Sequence, residues 1–171
     1  MKKSAIIWLT GLSGAGKSTL AALLEKKLKF KNYKVLRVDG DNFRKKTNLK
    51  NSFTKKNIII NNNNIISHIS SKYLKYNYTI VSVISPLRET RKKALKVFKD
   101  NYNEIYVYCP IKELIKRDTK GLYLKAKKNI IKNLIGYNSK IKYEKSLHKI
   151  IKINTNKYNK NSAVKKILHH I

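Results

Sequence analysis

The chain has 171 residues, of which 40 are Lys or Arg and only 9 are Asp or Glu, giving a formal net charge of +31. Its length is typical of one domain with a sizeable core, and no apolar run approaches the roughly 18 residues of a transmembrane helix. The single cysteine, Cys109, excludes an internal disulfide and favours a reducing, cytoplasmic location.

The positive charge alone does not identify a nucleic-acid-binding protein. Lysine, asparagine, isoleucine and tyrosine are abundant along the whole chain, which indicates compositional bias, and no basic motif with interleaved aromatic residues stands out. We therefore expect nucleic acid to bind only non-specifically. Arginine is rare by comparison with lysine: there are five arginines, and all except Arg37 lie in polar motifs. At those positions the guanidinium group can bind phosphate or sulfate through two hydrogen bonds, which lysine cannot do.

The first predicted elements are an apolar strand over 5–10 and a helix over 17–31, joined by a glycine-rich turn. The turn and the start of the helix read Gly11-Leu12-Ser13-Gly14-Ala15-Gly16-Lys17-Ser18-Thr19 and fit the G-x-x-x-x-G-K-[ST] motif. In this phosphate-binding loop (P-loop), backbone N–H groups and the helix dipole bind nucleotide phosphates. The lysine reaches the β- and γ-phosphates and the serine hydroxyl holds Mg²⁺, so the motif predicts ATP and Mg²⁺.

Two further polar motifs follow predicted strands. A second strand over 33–38 ends at Asp39-Gly40-Asp41-Asn42-Phe43-Arg44, whose carboxylates suit a metal ligand and a base for an acceptor hydroxyl, although they are also typical of a turn. A helix over 55–77, which contains the low-complexity run 58–66, precedes a buried strand over 79–85. The next motif, Ser85-Pro86-Leu87-Arg88-Glu89-Thr90-Arg91, offers a hydroxyl and two arginines on one helical face, which suits an anionic substrate.

The second half alternates in the same way, with a helix over 88–99, a strand over 104–109, a helix over 111–118, a strand over 149–153 and a helix over 160–170. A polar, lysine-rich segment follows over 119–140. The motif Arg117-Asp118-Thr119-Lys120-Gly121-Leu122-Tyr123 lies where P-loop kinases carry a lid, here about residues 117–140. This alternation predicts a P-loop-type three-layer α/β/α domain over residues 1–171, with a mostly parallel sheet. Ligands of such sheets bind at the carboxyl ends of the strands, where the first three motifs fall.

The four motifs, taken in order, closely resemble those of the adenylyl-sulfate kinase family over roughly residues 5–140. The family patterns GLSGAGKS, DGDNxR, ISPYRxxR and KRDxKGLYxKA read here GLSGAGKST, DGDNFR, ISPLRETR and RDTKGLYLKA. The resemblance implies an ATP-dependent kinase that phosphorylates the 3′-hydroxyl of adenosine 5′-phosphosulfate (APS) in sulfate assimilation. It also implies a small-molecule substrate and no membrane partner, and family members often form homodimers.

The resemblance also implies residue roles. Lys17 would contact the transferred phosphoryl group, Asp41 would activate or orient the acceptor hydroxyl, and Ser85 is the family's assigned phosphoserine. We favour direct in-line transfer, because no evident base near Ser85 would activate it. Residues 11–19 and Arg117 would bind ATP, and Ser18 and Asp41 would hold the metal. The implied substrate-binding residues are Asp39, Arg44, Phe53, Asn61, Ser85, Arg88, Lys120, Gly121 and Leu122.

The chain departs from the family pattern at three places. Ile58 stands where an arginine is usual, Leu87 replaces a tyrosine, and the usual G-[IV]-D-S-P-Y-E becomes the stretch 136–142, GYNSKIK. These changes predict weakened substrate binding rather than a different reaction. Two alternatives stay open: a P-loop kinase for another small molecule, such as a sugar acid or a nucleoside, and a polyanion-binding protein with a decayed nucleotide site.

Overall fold

The computed structural model describes residues 4–47 and 53–171. Its strands are β1 (Ala5–Thr10), β2 (Val35–Asp39), β3 (Tyr78–Ser82), β4 (Tyr102–Tyr108) and β5 (Ile151–Asn154). They form one sheet in the order β2-β3-β1-β4-β5, and each of its pairings is parallel. The predicted parallel sheet is confirmed, and β1, which carries the P-loop at its carboxyl end, lies at its centre.

Helices connect the strands. They are α1 (Lys17–Phe30), α2 (Gly40–Lys46), α3 (Lys55–Ser70), α4 (Arg88–Phe98), α5 (Ile111–Arg117), α6 (Leu122–Lys127) and α7 (Lys160–His169). Short 3₁₀ turns follow α3 and α4. Within the described ranges, no helix is both long enough and apolar enough to cross a membrane.

Alternate side chains of β1 build the core on the two faces of the sheet. Ile7 and Leu9 are fully buried in a cluster with residues of α1 and α7, whereas Ile6 and Trp8 are fully buried in a cluster with residues of α3 and α4. Burying one leucine or isoleucine side chain contributes about 1.5–3 kcal/mol. The two clusters confirm the predicted three-layer α/β/α arrangement, while the extent of the domain stays a prediction.

The low-complexity run 58–66 is helical because its apolar residues recur on one face. Ile58, Ile65 and Ile69 are buried at this helical spacing. The helix is shorter than predicted and ends at Ser70 instead of 77. Ser70 and Ser71 donate hydroxyl hydrogen bonds to the carbonyls of the preceding turn, which compete with helical backbone bonding there.

Two short helices were not predicted as helices, and a carboxylate caps each of them. Asp39 accepts hydrogen bonds from the amides of Asp41 and Asn42 at the start of α2. Asp118 accepts from the amides of Tyr123 and Leu124 at the start of α6. Both caps lie in the polar motifs, so these motifs fold into a turn followed by a helix rather than a turn alone.

Candidate active site

The P-loop joins the carboxyl end of β1 to the start of α1. Gly11 passes so close to β4 that a Cβ atom there would overlap the carbonyl oxygen of Val107. Gly16 precedes the first helical residue with a φ of +93°, a conformation that glycine adopts without steric cost. The sequence therefore requires glycine at these positions in order to turn the backbone N–H groups into a phosphate-binding nest.

Lys17 is the first residue of α1 and is buried, with 8% of its surface exposed. Its Nζ donates a hydrogen bond of 2.8 Å to the carbonyl of Leu12. Burial, reinforced by the positive charge of Lys120, lowers the pKa of Lys17 from 10.5 to about 8, although Asp41 and Asp39 partly oppose the shift. An anionic phosphate would restore the favourable environment of the ammonium group.

Asp39 ends β2 and points toward the start of α1. Its Oδ2 accepts hydrogen bonds from Ser18 at 2.7 Å and from Ser82 at 2.9 Å. Burial alone would raise the pKa of Asp39, but these hydroxyls and the amides of α2 outweigh it and hold the pKa below its ordinary value. Asp39 is therefore a fixed carboxylate beside the P-loop serine.

Asp41 has a different environment from Asp39. Its Oδ2 lies 2.6 Å from Nζ of Lys120, its Oδ1 lies 3.8 Å from a guanidinium nitrogen of Arg44, and about half of its side chain is exposed. Arg44 in turn lies 5.9 Å from the centre of the Phe53 ring. The motifs after β2 and in the lid segment, residues 117–140, therefore meet at Asp41.

Asp39 and Asp41 line one cleft of about 650 Å³ at the carboxyl edge of the sheet. Seven residues singled out in the sequence border it: Ser18, Asp39, Asp41, Arg44, Phe53, Lys120 and Leu122. Arg37, which lies outside the polar motifs of the sequence, also borders the cleft, and it pairs with Glu25. The cleft thus combines cations, carboxylates and one aromatic ring.

Other predicted residues lie away from this cleft. Ser85 is fully buried, and its hydroxyl donates to the side-chain oxygen of Asn62. Asn61 is also buried, and its Oδ1 has no hydrogen-bond partner within the described part of the chain. Ser85 lies in the loop that follows β3, and because it is fully buried it is not accessible to a nucleotide in this conformation.

The two arginines expected to bind an anionic substrate, Arg88 and Arg91, instead form hydrogen bonds within the protein. Arg88 donates through its Nε to the carbonyl of Lys145. Arg91 is 1% exposed, forms a 3.1 Å ion pair with the fully buried Glu104, and donates to the carbonyls of Ser85 and Glu144. The interpretation of Arg91 as part of an anion site is therefore corrected, because its guanidinium is enclosed in the core.

Arg117 contacts the P-loop only indirectly, through hydrogen bonds that pass by way of Thr155. Its guanidinium donates to the carbonyl of Thr155, just after β5, at 3.2 Å. The Thr155 hydroxyl in turn donates to the carbonyl of Ala15 at 3.1 Å. Thr155 was not singled out in the sequence, and its only signal is its place after the predicted fifth strand.

The sequence interpretation also missed Tyr143 and Glu144. The Tyr143 hydroxyl lies 2.9 Å from that of Thr10, and Glu144 accepts a hydrogen bond from the amide of Arg88. These residues reproduce the tyrosine–glutamate pair of the G-[IV]-D-S-P-Y-E pattern two positions later. Allowing a two-residue insertion after Gly136 would have found them, so the pattern is less eroded than residues 136–142 indicate.

Two of the departures from the family pattern are neighbours in the fold. Ile58 and Leu87 pack together with Ile135 in one buried apolar cluster. An arginine and a tyrosine of the family pattern are thus replaced jointly by aliphatic side chains. The replacement lowers the polarity beside the lid segment without leaving a buried charge unpaired.

Comparison with known proteins gives a consistent result. A family model described as Adenylylsulphate kinase matches residues 3–154. The adenylyl-sulfate kinase of Clostridium acetobutylicum is 37% identical over 171 residues, covering 99% of this chain and 84% of that protein. The probable adenylyl-sulfate kinase of Pyrococcus abyssi is 45% identical over 133 residues, covering 77% and 75% of the two chains.

The fold also matches a solved structure along its whole length. The Mycobacterium tuberculosis APS kinase CysC in complex with AMPPNP and APS superposes with a TM-score of 0.84 at 28% identity, covering 99% of this chain and 98% of that one. Together with the family match over most of the sequence, this establishes that the chain belongs to the adenylylsulphate kinase family.

Proposed function

We propose that the chain transfers the γ-phosphoryl group of ATP to the 3′-hydroxyl of APS, giving 3′-phosphoadenosine 5′-phosphosulfate and ADP. Family membership supports this reaction and its usual role in sulfate assimilation. The structural observation that carries the proposal is the position of Asp41. It lies in one cleft with Ser18 and Asp39 of the nucleotide side and with Arg44 and Lys120, which suit an anionic acceptor.

On the nucleotide side, the amides of the P-loop and the ammonium group of Lys17 would bind the phosphates. The Ser18 hydroxyl and the Asp39 carboxylate, 2.7 Å apart, form a pair of hard oxygen donors that suits Mg²⁺. We therefore assign the ion to Ser18 and Asp39 and leave Asp41, first assigned to the metal, for the acceptor. When bound, the ion neutralises phosphate charge.

On the acceptor side, Asp41 would accept the proton of the 3′-hydroxyl or orient it toward the transferred group. Lys120 and Arg44 would bind the phosphosulfate anion, and the ring of Phe53 offers an apolar face to the adenine. The enclosed Ser85 hydroxyl, already donated to Asn62, supports direct in-line transfer without a phosphoserine intermediate. Catalysis would then consist of positioning and charge stabilisation.

The experiment that tests this function is ADP release by the purified protein with APS, AMP or gluconate as the acceptor. We expect turnover with APS, and the product should carry the labelled γ-phosphate of ATP. Faster turnover with gluconate or AMP would favour a kinase for another small molecule. Salt-sensitive DNA binding without any turnover would favour the polyanion-binding alternative.

We further propose, from the composition and the family resemblance, a cytoplasmic protein that forms homodimers. Light scattering of the purified protein tests the oligomeric state. A mass that stays monomeric across the micromolar range would contradict the dimer.

A further inference from the structure

Three carbonyl groups of the P-loop accept hydrogen bonds from side chains. The carbonyl of Leu12 accepts from Lys17 at 2.8 Å, that of Ser13 accepts from the Tyr123 hydroxyl at 2.9 Å, and that of Ala15 accepts from the Thr155 hydroxyl at 3.1 Å. Lys17 belongs to the P-loop motif itself. Tyr123 and Thr155 come from distant parts of the chain and have no role in the proposed reaction so far.

Because the peptide bond is planar, these contacts also fix the direction of the N–H group that follows each carbonyl. In a trans peptide, the C=O of one residue and the N–H of the next point in opposite directions. A carbonyl of Ser13 that is held toward Tyr123 therefore turns the N–H of Gly14 to the other side. A carbonyl of Ala15 that is held toward Thr155 does the same for the N–H of Gly16.

Tyr123 is well suited to such a fixed contact. It is 2% exposed, its ring edge lies beside Gly14, and its backbone amide is held by the cap that Asp118 forms for α6. Burial, with smaller contributions from Asp118 and Cys109, raises the pKa of Tyr123 to about 12. The hydroxyl therefore stays protonated and remains a donor throughout the physiological pH range.

Thr155 supports the other side of the loop. It follows β5, its methyl group lies beside Gly16, and the guanidinium of Arg117 donates to its carbonyl. Removing either hydroxyl would leave a carbonyl of the loop without this partner and free its peptide group to rotate. Glycine at positions 14 and 16 offers little steric resistance to that rotation.

We propose that Tyr123 and Thr155 are positioning residues for ATP, which orient the amides of Gly14 and Gly16 toward the nucleotide phosphates. Tyr123 lies three residues after Lys120, so α6 supports the nucleotide loop with one side while the preceding turn contacts Asp41 with the other. The inference rests on the proposed function only in taking ATP as the nucleotide.

Calorimetric titration of Tyr123→Phe and Thr155→Val, with Mg²⁺, tests the proposal. Each variant keeps the shape of its side chain and loses only the hydroxyl. We expect the Kd of ATP and that of inorganic tripolyphosphate to rise by the same factor, about 5- to 20-fold, because one hydrogen bond is lost and a carbonyl is left unsatisfied. The Kd of APS should stay unchanged.

Two further variants separate positioning from general damage. Tyr137→Phe alters a ring packed edge-on against Tyr123, 6.0 Å away, and should leave both Kd values unchanged. Thr155→Ser retains a hydroxyl and should restore most of the affinity. An unchanged Kd of tripolyphosphate, or equal weakening of ATP and APS binding, in either hydroxyl-deficient variant would overturn the proposal.

The titrations also separate this inference from the proposed reaction. Tripolyphosphate binding does not depend on which acceptor the enzyme uses. If the variants lose phosphate affinity as expected but the wild-type protein does not phosphorylate APS, the reaction is wrong and the positioning role stands. A wild-type protein that binds neither ATP nor tripolyphosphate would overturn both.

Discussion

Two carboxylates only two positions apart have different environments in this site. Asp39 is held by two serine hydroxyls and by the amides at the start of α2, so its orientation is fixed. Asp41 is half exposed and is paired with Lys120, a partner that an incoming anion would attract away. The first environment suits a metal ligand and the second suits a group that must contact the acceptor.

This difference predicts different kinetic effects for the same substitution. Asp41→Asn should lower kcat by about 10²- to 10⁴-fold while ATP binding persists, because only the acceptor contact is lost. Asp39→Asn should mainly weaken Mg²⁺-dependent ATP binding. Steady-state kinetics and ATP titration measure the two effects, with the exposed Asp100→Asn as a control. Equal effects of both substitutions on kcat would contradict the assignment.

Lys17 predicts a pH dependence of ATP binding. Its pKa is about 8 in the ligand-free protein, and bound phosphates would raise it, so ATP binding takes up a proton above pH 8. The affinity for ATP should therefore be highest below pH 8, where Lys17 is already protonated. Above pH 8 it should fall by up to about tenfold per pH unit. Titrations from pH 7 to 9.5 in buffers of different ionisation enthalpy measure the proton uptake. Flat affinity over this range would refute the prediction.

The buried pair Ile58 and Leu87 predicts how the substrate pocket has changed. Ile58→Arg alone should destabilise the fold by about 2 kcal/mol, because the charge meets an apolar cluster. Adding Leu87→Tyr should recover part of this loss and lower the KM of APS without changing that of ATP. Ile58→Met is the uncharged control. A KM of APS that is the same for the arginine and methionine variants would contradict this account.

At the scale of elements, strand β4 anchors residues 143–148, which have no regular secondary structure. Glu104 of β4 is fully buried and contacts Arg91, Ser146 and His148, the last at 3.3 Å. Arg91 in turn donates to the carbonyl of Glu144. A buried ion pair therefore attaches residues 143–148 to the core, although that segment forms neither a helix nor a strand.

Breaking this pair should affect stability rather than substrate binding. Arg91→Met leaves Glu104 without its cation, and we expect the free energy of unfolding to fall by about 3–5 kcal/mol. The double variant Arg91→Met, Glu104→Leu should regain much of this loss. Urea denaturation and APS kinetics measure the two quantities. A raised KM of APS with unchanged stability would restore the original interpretation of Arg91 as an anion-binding residue.

Much of the fold was predictable because its signals are local. The alternation of apolar strands with helices and the P-loop motif together specified the sheet and the position of the nucleotide site. The burial of Arg91 was not predictable, because its guanidinium bonds to Glu144 and Ser146, more than fifty positions away along the chain. The enclosure of Ser85 was not predictable either, because its hydroxyl partner, Asn62, comes from the preceding helix α3. The short helices α2 and α6 were missed because Asp39 was interpreted as a ligand or turn residue and Asp118 only as part of the lid motif.

At the scale of the molecule, the net charge of +31 acts on every polyanion in solution. The charge is spread over lysines along the whole chain, so it strengthens association generally and specifies no sequence. The substrates are themselves anions, so the charge also favours their approach. Catalytic specificity must then come from the cleft and not from the overall field.

The charge predicts a binding activity that is separable from catalysis. Duplex DNA should bind at low salt and lose about 10³-fold in affinity between 50 and 200 mM salt, without preference for sequence. Lys17→Ala should abolish APS phosphorylation and leave DNA binding unchanged. Anisotropy titrations over a salt series measure this. A strong loss of DNA affinity in Lys17→Ala would place the polyanion at the nucleotide site.

The central position of β1 has a consequence for biosynthesis. Trp8 pairs with Val81 on one side and with Glu104 on the other, so β1 is synthesised before both of its sheet neighbours, β3 and β4. At about 5–20 residues per second, an apolar segment remains without its sheet partners for several seconds. Such long-range pairing slows folding, and the unpaired apolar strand exposes the nascent chain to aggregation during that interval.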